Sequence, residues 1–410
     1  MKKYLLFLLI FSSSVALAQR TIKGQVIDEK TKETLPGVSV YINNSTIGTV
    51  TDSDGKFVLN IPFNGKMELV ASHVIYKKKT TLLEDANYDQ LLITLQAQDN
   101  TLKEVIIKAK KNKEDNFRKW GDLFTKIIMG NNLRFANSCK IMNPDELVFY
   151  FDRDRNELAV YAKSPLLVEN RLLNYKIKID LENFTYSFGN DVLKVNYSTF
   201  FEDLVTHSQK LPAVAVMRKE AYFGSQMHFM RSIYNNTLTK DGFSIYHYRS
   251  IKNKEKERVN KIVQNRIAER FADKTNPNYD LKALFSSNDT VNYYKMILKQ
   301  DDNLALDTSR TQSRKLAVLN RQEGTVKLNF VDTVMIKYQP LLDFRFPKLS
   351  ENSHGPSTKL QYTFMYPIES GGVNIERNGY YPELILFIYG NMSERRISQL
   401  LPWDYDPDKI

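Results

Sequence analysis

The chain has 410 residues, 42% of them hydrophobic and 26% charged, with only 13 Pro and 16 Gly. That length and balance imply two or three domains with sizeable cores and exclude disorder on a large scale. A single cysteine, Cys139, excludes any disulfide within the chain, while 23 Tyr and 23 Phe favour strands over a helical bundle.

In chain order, Lys2 and Lys3 precede an apolar run from Tyr4 to Phe11, then three serines and Ala16-Leu17-Ala18. This is the order of a secretory signal peptide over residues 1–18, with cleavage expected after Ala18 or Gln19. The run is shorter than the about 20 residues a bilayer-spanning helix needs. The expectation is an exported, periplasmic protein associated with the outer membrane, with no transmembrane helix after cleavage. The formal charge of +11 would fall to about +9 in the mature chain. Export directs that surplus away from nucleic acid and toward an anionic envelope surface or an acidic protein, unless it serves solubility alone.

Seven short segments rich in Val, Ile, Leu and Thr follow, from "TIKGQVID" through "GVSVYI", "TIGTVT", "KFVLNI", "KMELVAS" and "KTTLL" to "LLITL". Their length and spacing predict a seven-stranded β-sandwich over residues 20–108. Val38, Val40 and Ile42 are expected to face the core, with Ser39 and Tyr41 facing outward. Asp54-Gly55 between "GTVT" and "KFVL" predicts a two-residue hairpin, and that turn accounts for Asp52 and Asp54 better than a calcium loop does.

Gly24, Val26, Asp28, Leu35-Pro36-Gly37, Val38, Val40, Gly48-Thr49, Thr51-Asp52, Asp54-Gly55 and Phe57 together resemble the carboxypeptidase regulatory-like domain. The resemblance implies a transthyretin-like sandwich of exported proteins of Bacteroidetes-type bacteria. It implies a fold and a compartment, not an activity. The peptidase that gives the family its name is not written in the chain. None of His73, His207, His228, His247 and His354 is followed by Glu three residues later, and no His-Glu-x-x-His occurs. No Gly-x-Ser-x-Gly elbow, phosphate loop or dinucleotide fingerprint is present either. No cofactor, metal or catalytic residue is therefore assigned.

"EVIIK" then reads as a last strand and residues 109–116 as a charged linker. A similar segment follows this module in TonB-dependent receptors. The roughly 290 residues that remain are too few for a 22-stranded receptor barrel at about ten residues per strand plus loops. Residues 117–410 read instead as an α+β region of antiparallel strands with about three helices, divisible into lobes 117–250 and 251–410. Phe117, Trp120, Phe124, Ile127 and Ile128 mark the first helix, with a cap at Gly130-Asn131. Tyr222, Gln226, Phe229 and Ile233 mark the second, in "RKEAYFGSQMHFMRSIYNN". Val259, Ile262, Val263, Ile267 and Phe271 mark the third, whose interspersed Lys, Arg and Glu read as a solvated face or as a contact with a membrane surface or acidic partner. "ELVFYF", "ELAVYAK", "YKIKIDL", "FTYSF" and "VLKVNYSTF" are expected to form a meander turning at Arg155-Asn156. A second strand group is expected over 324–390.

"NPDELVFYFDRDRNELAVYAK", "RKEAYFGSQMHFMRSIYNNTLTKDGF" and "LPWDYDP" resemble the extended region behind this module in envelope proteins of the same bacteria, for which no catalytic role follows. On the second helix Arg218, Tyr222, His228 and Arg231 are the candidate ligand or partner surface. The planar forks of the two arginines suit carboxylate or phosphate, and Glu220 lies nearby. The same side chains also fit a structural role, with His228 hydrogen-bonded beside packed aromatics. The leading function is a non-enzymatic binding or scaffold component that docks to an outer-membrane β-barrel complex. The alternatives are an envelope hydrolase with a non-local carboxylate pair and a module that binds an anionic glycan or lipid head group.

Overall fold

Burial along the first strands follows the two-residue period: Phe57, Leu59 and Ile61 are buried while Lys56, Val58 and Asn60 are exposed. The computed structural model describes residues 20–409 apart from 64, 85, 98–116, 190, 206–210, 271–283, 286, 301, 308–309, 312–315, 321–323, 341–359, 369–370 and 383–384. The expected signal peptide, the "EVIIK" strand, the 109–116 linker, His207, Phe271 and His354 lie outside the described residues.

The seven expected strands are β1 (Arg20–Asp28), β2 (Ser39–Ile42), β3 (Gly48–Val50), β4 (Lys56–Ile61), β5 (Met67–Ser72), β6 (Lys79–Leu83) and β7 (Tyr88–Leu95). They form two sheets, β4-β1-β7 and β3-β2-β5-β6, which close on one core containing Val26, Val40, Phe57, Leu69 and Ile93. The turn at Asp52–Gly55 corrects the hairpin expectation. Asp52 Oδ1 accepts the amides of Asp54 and Lys56 at 3.0 and 2.8 Å, yet β3 pairs with β2 and β4 with β1. The reason lies at Gly55, which has φ +69° and whose carbonyl accepts the Val26 amide at 2.8 Å. A Cβ there would stand 2.7 Å from the Val26 carbonyl oxygen. The turn is thus pinned on β1 and delivers β4 to the other sheet.

Helix α1 (Phe117–Met129) and the short α2 (Leu133–Ala136) open the second region. Gly130 follows α1 at φ +93°, and its amide donates to Lys126 at 3.2 Å, as the expected cap requires. The strands are β8 (Cys139–Ile141), β9 (Leu147–Asp152), β10 (Glu157–Ala162), β11 (Leu166–Asn170), β12 (Tyr175–Ser187) and β13 (Val192–Asp203). They are not a plain meander. "YKIKIDL" and "FTYSF" are one strand, β12, which pairs with β11 through Tyr175–Ile179, with β10 through Thr185–Ser187, and with β13 along its length. A register shift between Leu181 and Asn183 leaves Glu182 at a bulge. Helix α1 covers this sheet, with the Phe124 ring 5.0 Å from Phe184 and 5.9 Å from Phe149 in edge-on contact.

The second expected helix is two helices, α3 (Leu211–Tyr222) and α4 (Gln226–Tyr234). Gly224 breaks it at φ +79°, and Ser225 begins the new helix by accepting the His228 amide at 3.1 Å. The break passes the chain between cores. Met217, Ala221 and Tyr222 pack with Phe124 and Phe149, whereas Phe229, Met230 and Ile233 pack with Phe243 and Ile336.

Beyond it lie β14 (Phe243–His247), β15 (Arg249–Lys252), α5 (Lys254–Arg270), α6 (Asn288–Leu298), β16 (Asn303–Asp307), β17 (Arg310–Thr311), β18 (Ala317–Asn320), β19 (Thr325–Leu328), β20 (Val334–Tyr338), β21 (Gln361–Pro367), β22 (Val373–Ile375) and β23 (Leu386–Gly390). Their sheets run β17-β14-β20-β21-β23, β18-β19-β22 and β15-β16. α5 buries Val259, Val263 and Ile267 against Val291 and Ile297 of α6. Its charged side pairs within itself, Arg258 with Glu255, Lys261 with Glu257 and Arg266 with Glu269, as a solvated face does. The chain is β-rich and α+β, with the sandwich at its N-terminal end. α2 and α6 add to the helices expected from the sequence.

The sandwich is mortised to the second region by the loop after β2. Asn44 donates its amide to Thr199 O at 2.7 Å and accepts the Trp403 amide at 2.6 Å. The Thr199 amide reaches Asn43 Oδ1 at 3.0 Å, and its hydroxyl reaches Asn44 Oδ1 at 2.9 Å. Thr46 donates its amide to Asp404 at 2.9 Å. Tyr41 points out of the sandwich, as the strand period requires, but is only 2% exposed. Its ring lies 5.5 Å from Phe200, and its hydroxyl donates to Asp180 at 2.9 Å. Burial, helped by Asp180, raises the Tyr41 pKa strongly.

Candidate functional site

The four candidate residues are brought together, around the chain's closing segment. Arg231, on α4, spends its whole guanidinium on backbone carbonyls. Nε donates to Asn378 O at 2.7 Å, Nη1 to Tyr405 O at 2.9 Å and Nη2 to Trp403 O at 2.9 Å. The group also lies 5.5 Å from the centroid of the Tyr222 ring. Tyr222 is 5% exposed, and its ring lies 5.8 Å from Tyr405 and 4.9 Å from His228. Burial raises the Tyr222 pKa against the opposing effect of Arg231.

Arg218, on α3, stands one step away. Its Nη1 and Nη2 take both oxygens of Asp203 at 2.8 Å, a bidentate pair. Nε donates to Leu173 O at 2.9 Å, and the guanidinium stacks 3.8 Å from the centroid of Tyr175. The fork that would suit a carboxylate ligand already holds a carboxylate of its own chain.

His228 is buried at 3% exposure. Its Nδ1 accepts the Gly224 amide at 3.0 Å, which places the proton of the neutral ring on Nε2. The rings of Phe223 and Phe243 stand 5.2 and 4.9 Å away. Glu220 turns aside to Arg134 at 3.0 Å, and burial outweighs that ion pair in raising its carboxyl pKa. Arg395 completes the junction by donating to the carbonyls of Ala221 and Phe223 at 2.9 Å. It thereby caps the end of α3 at the break. Arg231 and Tyr222 brace the two helices against the C-terminal strap, while Arg218 ties α3 to Asp203 and to the turn between β11 and β12. Tyr222, His228 and Arg231 still border a recess of about 480 Å³ together with Lys240 and Asp408.

A larger cleft, of about 800 Å³, lies between the sandwich and the second region. Its lining was not legible in the sequence, since Lys77 and Lys78 are brought by the sandwich while Lys163, Lys178, Asp180 and Glu182 come from β12 and the β10–β11 turn. Lys78 forms an ion pair with Glu182 and donates to Ser198 Oγ at 2.5 Å. Lys178 donates to Ser39 at 3.3 Å and Lys163 to Asp145 O at 3.0 Å. With Asp180 and Glu182 engaged by Tyr41 and Lys78, the cleft suits an anionic group. Among the described residues no group of three or more His, Cys, Asp and Glu could hold a metal ion. Cys139 is largely buried, and burial pushes its thiol up to about 12.

Residues 22–107 match the family model of the CarboxypepD_reg-like domain, which covers the sandwich and the segment after it. No curated protein matches the chain. Among solved structures, a putative membrane-associated protein of unknown function from Bacteroides fragilis is 9% identical, covering 91% of this chain and 95% of that one at a TM-score of 0.16. A DUF3823 family protein from Bacteroides ovatus is 12% identical over 46% of this chain and 83% of that one, TM-score 0.17. A type II cohesin–X-dockerin complex from Acetivibrio cellulolyticus is 20% identical over 22% of this chain and 72% of that one, TM-score 0.19. No described helix is long and apolar enough to cross a membrane.

Proposed function

We propose that this chain is an exported, non-enzymatic binding or scaffold component of the cell envelope, docking through its sandwich to an outer-membrane β-barrel complex for uptake, assembly or secretion. The observation that supports this reading is the way the module is mounted. One end of the sandwich is locked to the second region through Asn43–Thr46, and β6 stands at the end of its sheet with Lys79, Thr80 and Leu82 exposed. A sheet edge held on a rigid base can accept a partner strand. The test is co-purification of the tagged mature chain from detergent-solubilised envelope, with a Leu82→Lys variant beside it. Recovery of a β-barrel protein with the parent chain, and its loss with the variant, is the expected result. A mature chain that stays wholly soluble and partnerless overturns it.

The cleft favours a second reading, a module for an anionic glycan or lipid head group. Salt-sensitive binding of such a ligand, weakened in Lys163→Gln and Lys178→Gln, would distinguish it. Arg218 and Arg231 are poor probes of either reading, because replacing Arg231 also loosens the strap and replacing Arg218 strands Asp203 without its partner.

A further inference from the structure

The loop between β5 and β6 reads "HVIYKK", with Lys79 next on β6, and its tip exposes two adjacent aliphatic side chains, Val74 at 70% and Ile75 at 63%. Single exposed aliphatics are ordinary; a pair at the apex of a turn, with cations beside it, calls for an explanation.

The turn is braced rather than loose. The Tyr76 amide donates to His73 O at 3.1 Å and the Lys77 amide to Gln96 O at 2.7 Å. The Tyr76 hydroxyl donates to Asp28 at 2.9 Å, a carboxylate also held by the amides of Lys30 and Thr31 at 2.7 and 2.9 Å. The tip is therefore presented in one conformation, and little ordering entropy remains to oppose its contacts. Its surroundings are positive. Lys79 follows on β6 and is exposed, and Lys163 stands with Val74 on the lining of the same cleft. Neither is ion-paired to a described carboxylate. On the more basic-looking α5, by contrast, Arg258, Lys261 and Arg266 are paired with Glu255, Glu257 and Glu269, and Lys256 with Asp302.

We propose that the His73–Lys78 loop is a membrane-contact element, with Val74 and Ile75 entering the acyl boundary of an anionic lipid surface and Lys79 and Lys163 lying at the head groups. The occupant follows from charge complementarity: aliphatic side chains at an apex flanked by cations match a surface that is apolar beneath and anionic above. This rests on the envelope location proposed above and names the lipid surface as a contact separate from any protein partner.

The test is co-sedimentation of the mature full chain with phosphatidylcholine vesicles, with and without phosphatidylglycerol, across a salt series. The parent chain is expected to bind the anionic vesicles and to lose binding as salt rises. Val74→Ser with Ile75→Ser should weaken binding about tenfold or more, and Lys79→Gln and Lys163→Gln about fivefold each. All four positions are on the surface, so far-ultraviolet circular dichroism should stay unchanged. Equal binding to both vesicle types, or an unchanged double serine variant, overturns the proposal. Loss of binding in Arg258→Gln without loss in the loop variants also overturns it, by assigning the contact to α5. A chain that binds vesicles but captures no protein from solubilised envelope sinks the scaffold reading alone. One that captures a protein but ignores vesicles sinks the lipid contact alone.

Discussion

Replacing Arg231 by alanine tests whether the candidate surface is a brace. The side chain makes three hydrogen bonds from a charged donor, to Asn378, Trp403 and Tyr405, and such bonds contribute about 1.5–3 kcal/mol each. The simple sum overstates the loss, because the site is half-buried and water can reach some of the abandoned carbonyls. The strap also keeps its ties from Trp403 to Asn44 and from Thr46 to Asp404. A loss of about 3 kcal/mol in the local stability of residues 400–407 is the reasoned value. That corresponds to roughly a hundredfold faster opening-limited exchange of the Trp403 amide, readable by hydrogen-exchange mass spectrometry. Arg231→Lys should recover part of the loss, since an ammonium cannot span all three carbonyls. If Arg231→Ala folds and the strap exchanges as in the parent, the brace is refuted and Arg231 returns as a ligand donor.

Gly224→Ala should cost about 2 kcal/mol or more, because φ is +79° and the added Cβ would stand 2.5 Å from the Tyr338 ring. Gly189→Ala, with open space around it, should leave a thermal melt unchanged. Stability should fall as pH rises above about 10, because Tyr41, Tyr175 and Tyr405 have pKa values raised by burial. The unfolded chain ionises these phenols first, so the stability they contribute is complete below that pH and is lost above it. Tyr41→Phe should flatten the alkaline slope by about 1.4 kcal/mol per pH unit; an unchanged slope in alkaline denaturation would contradict the assignment. The Cys139 thiol, pushed up to about 12 by burial, should react slowly with Ellman's reagent at neutral pH and rapidly in urea. Fast labelling of the folded chain would contradict that.

The local code carried the sandwich. Period-two alternation in segments such as Lys56–Ile61, with turn residues between them, is enough to place seven strands, since each strand's burial is set by its own side chains. Phe117, Phe124 and Ile128 likewise announced α1, and Gly130 its end. The paired charges of α5 were legible as a solvated face because the partners lie three and four residues apart. What failed was everything that depends on a distant contact. Asp54-Gly55 was rightly a turn, but its docking on Val26 decides which sheet receives β4. The stripe from Tyr222 to Ile233 fits one helix, yet two separate cores and the half-buried Arg395 hold a break at Gly224.

Residue type and spacing therefore determined the module, its strand count and the positions from which Arg218, Tyr222, His228 and Arg231 act. Tertiary structure decided what those positions do. A guanidinium has the same donors in any sequence, but only the fold shows that Asp203 and three backbone carbonyls already occupy them. It also decided which outward residues meet solvent, covering Tyr41 with Phe200 and leaving Val74 and Ile75 bare. Short-range patterns record the pairing of near neighbours along one element; the covering of Tyr41 and the occupancy of the Arg231 donors are set by segments more than a hundred residues away.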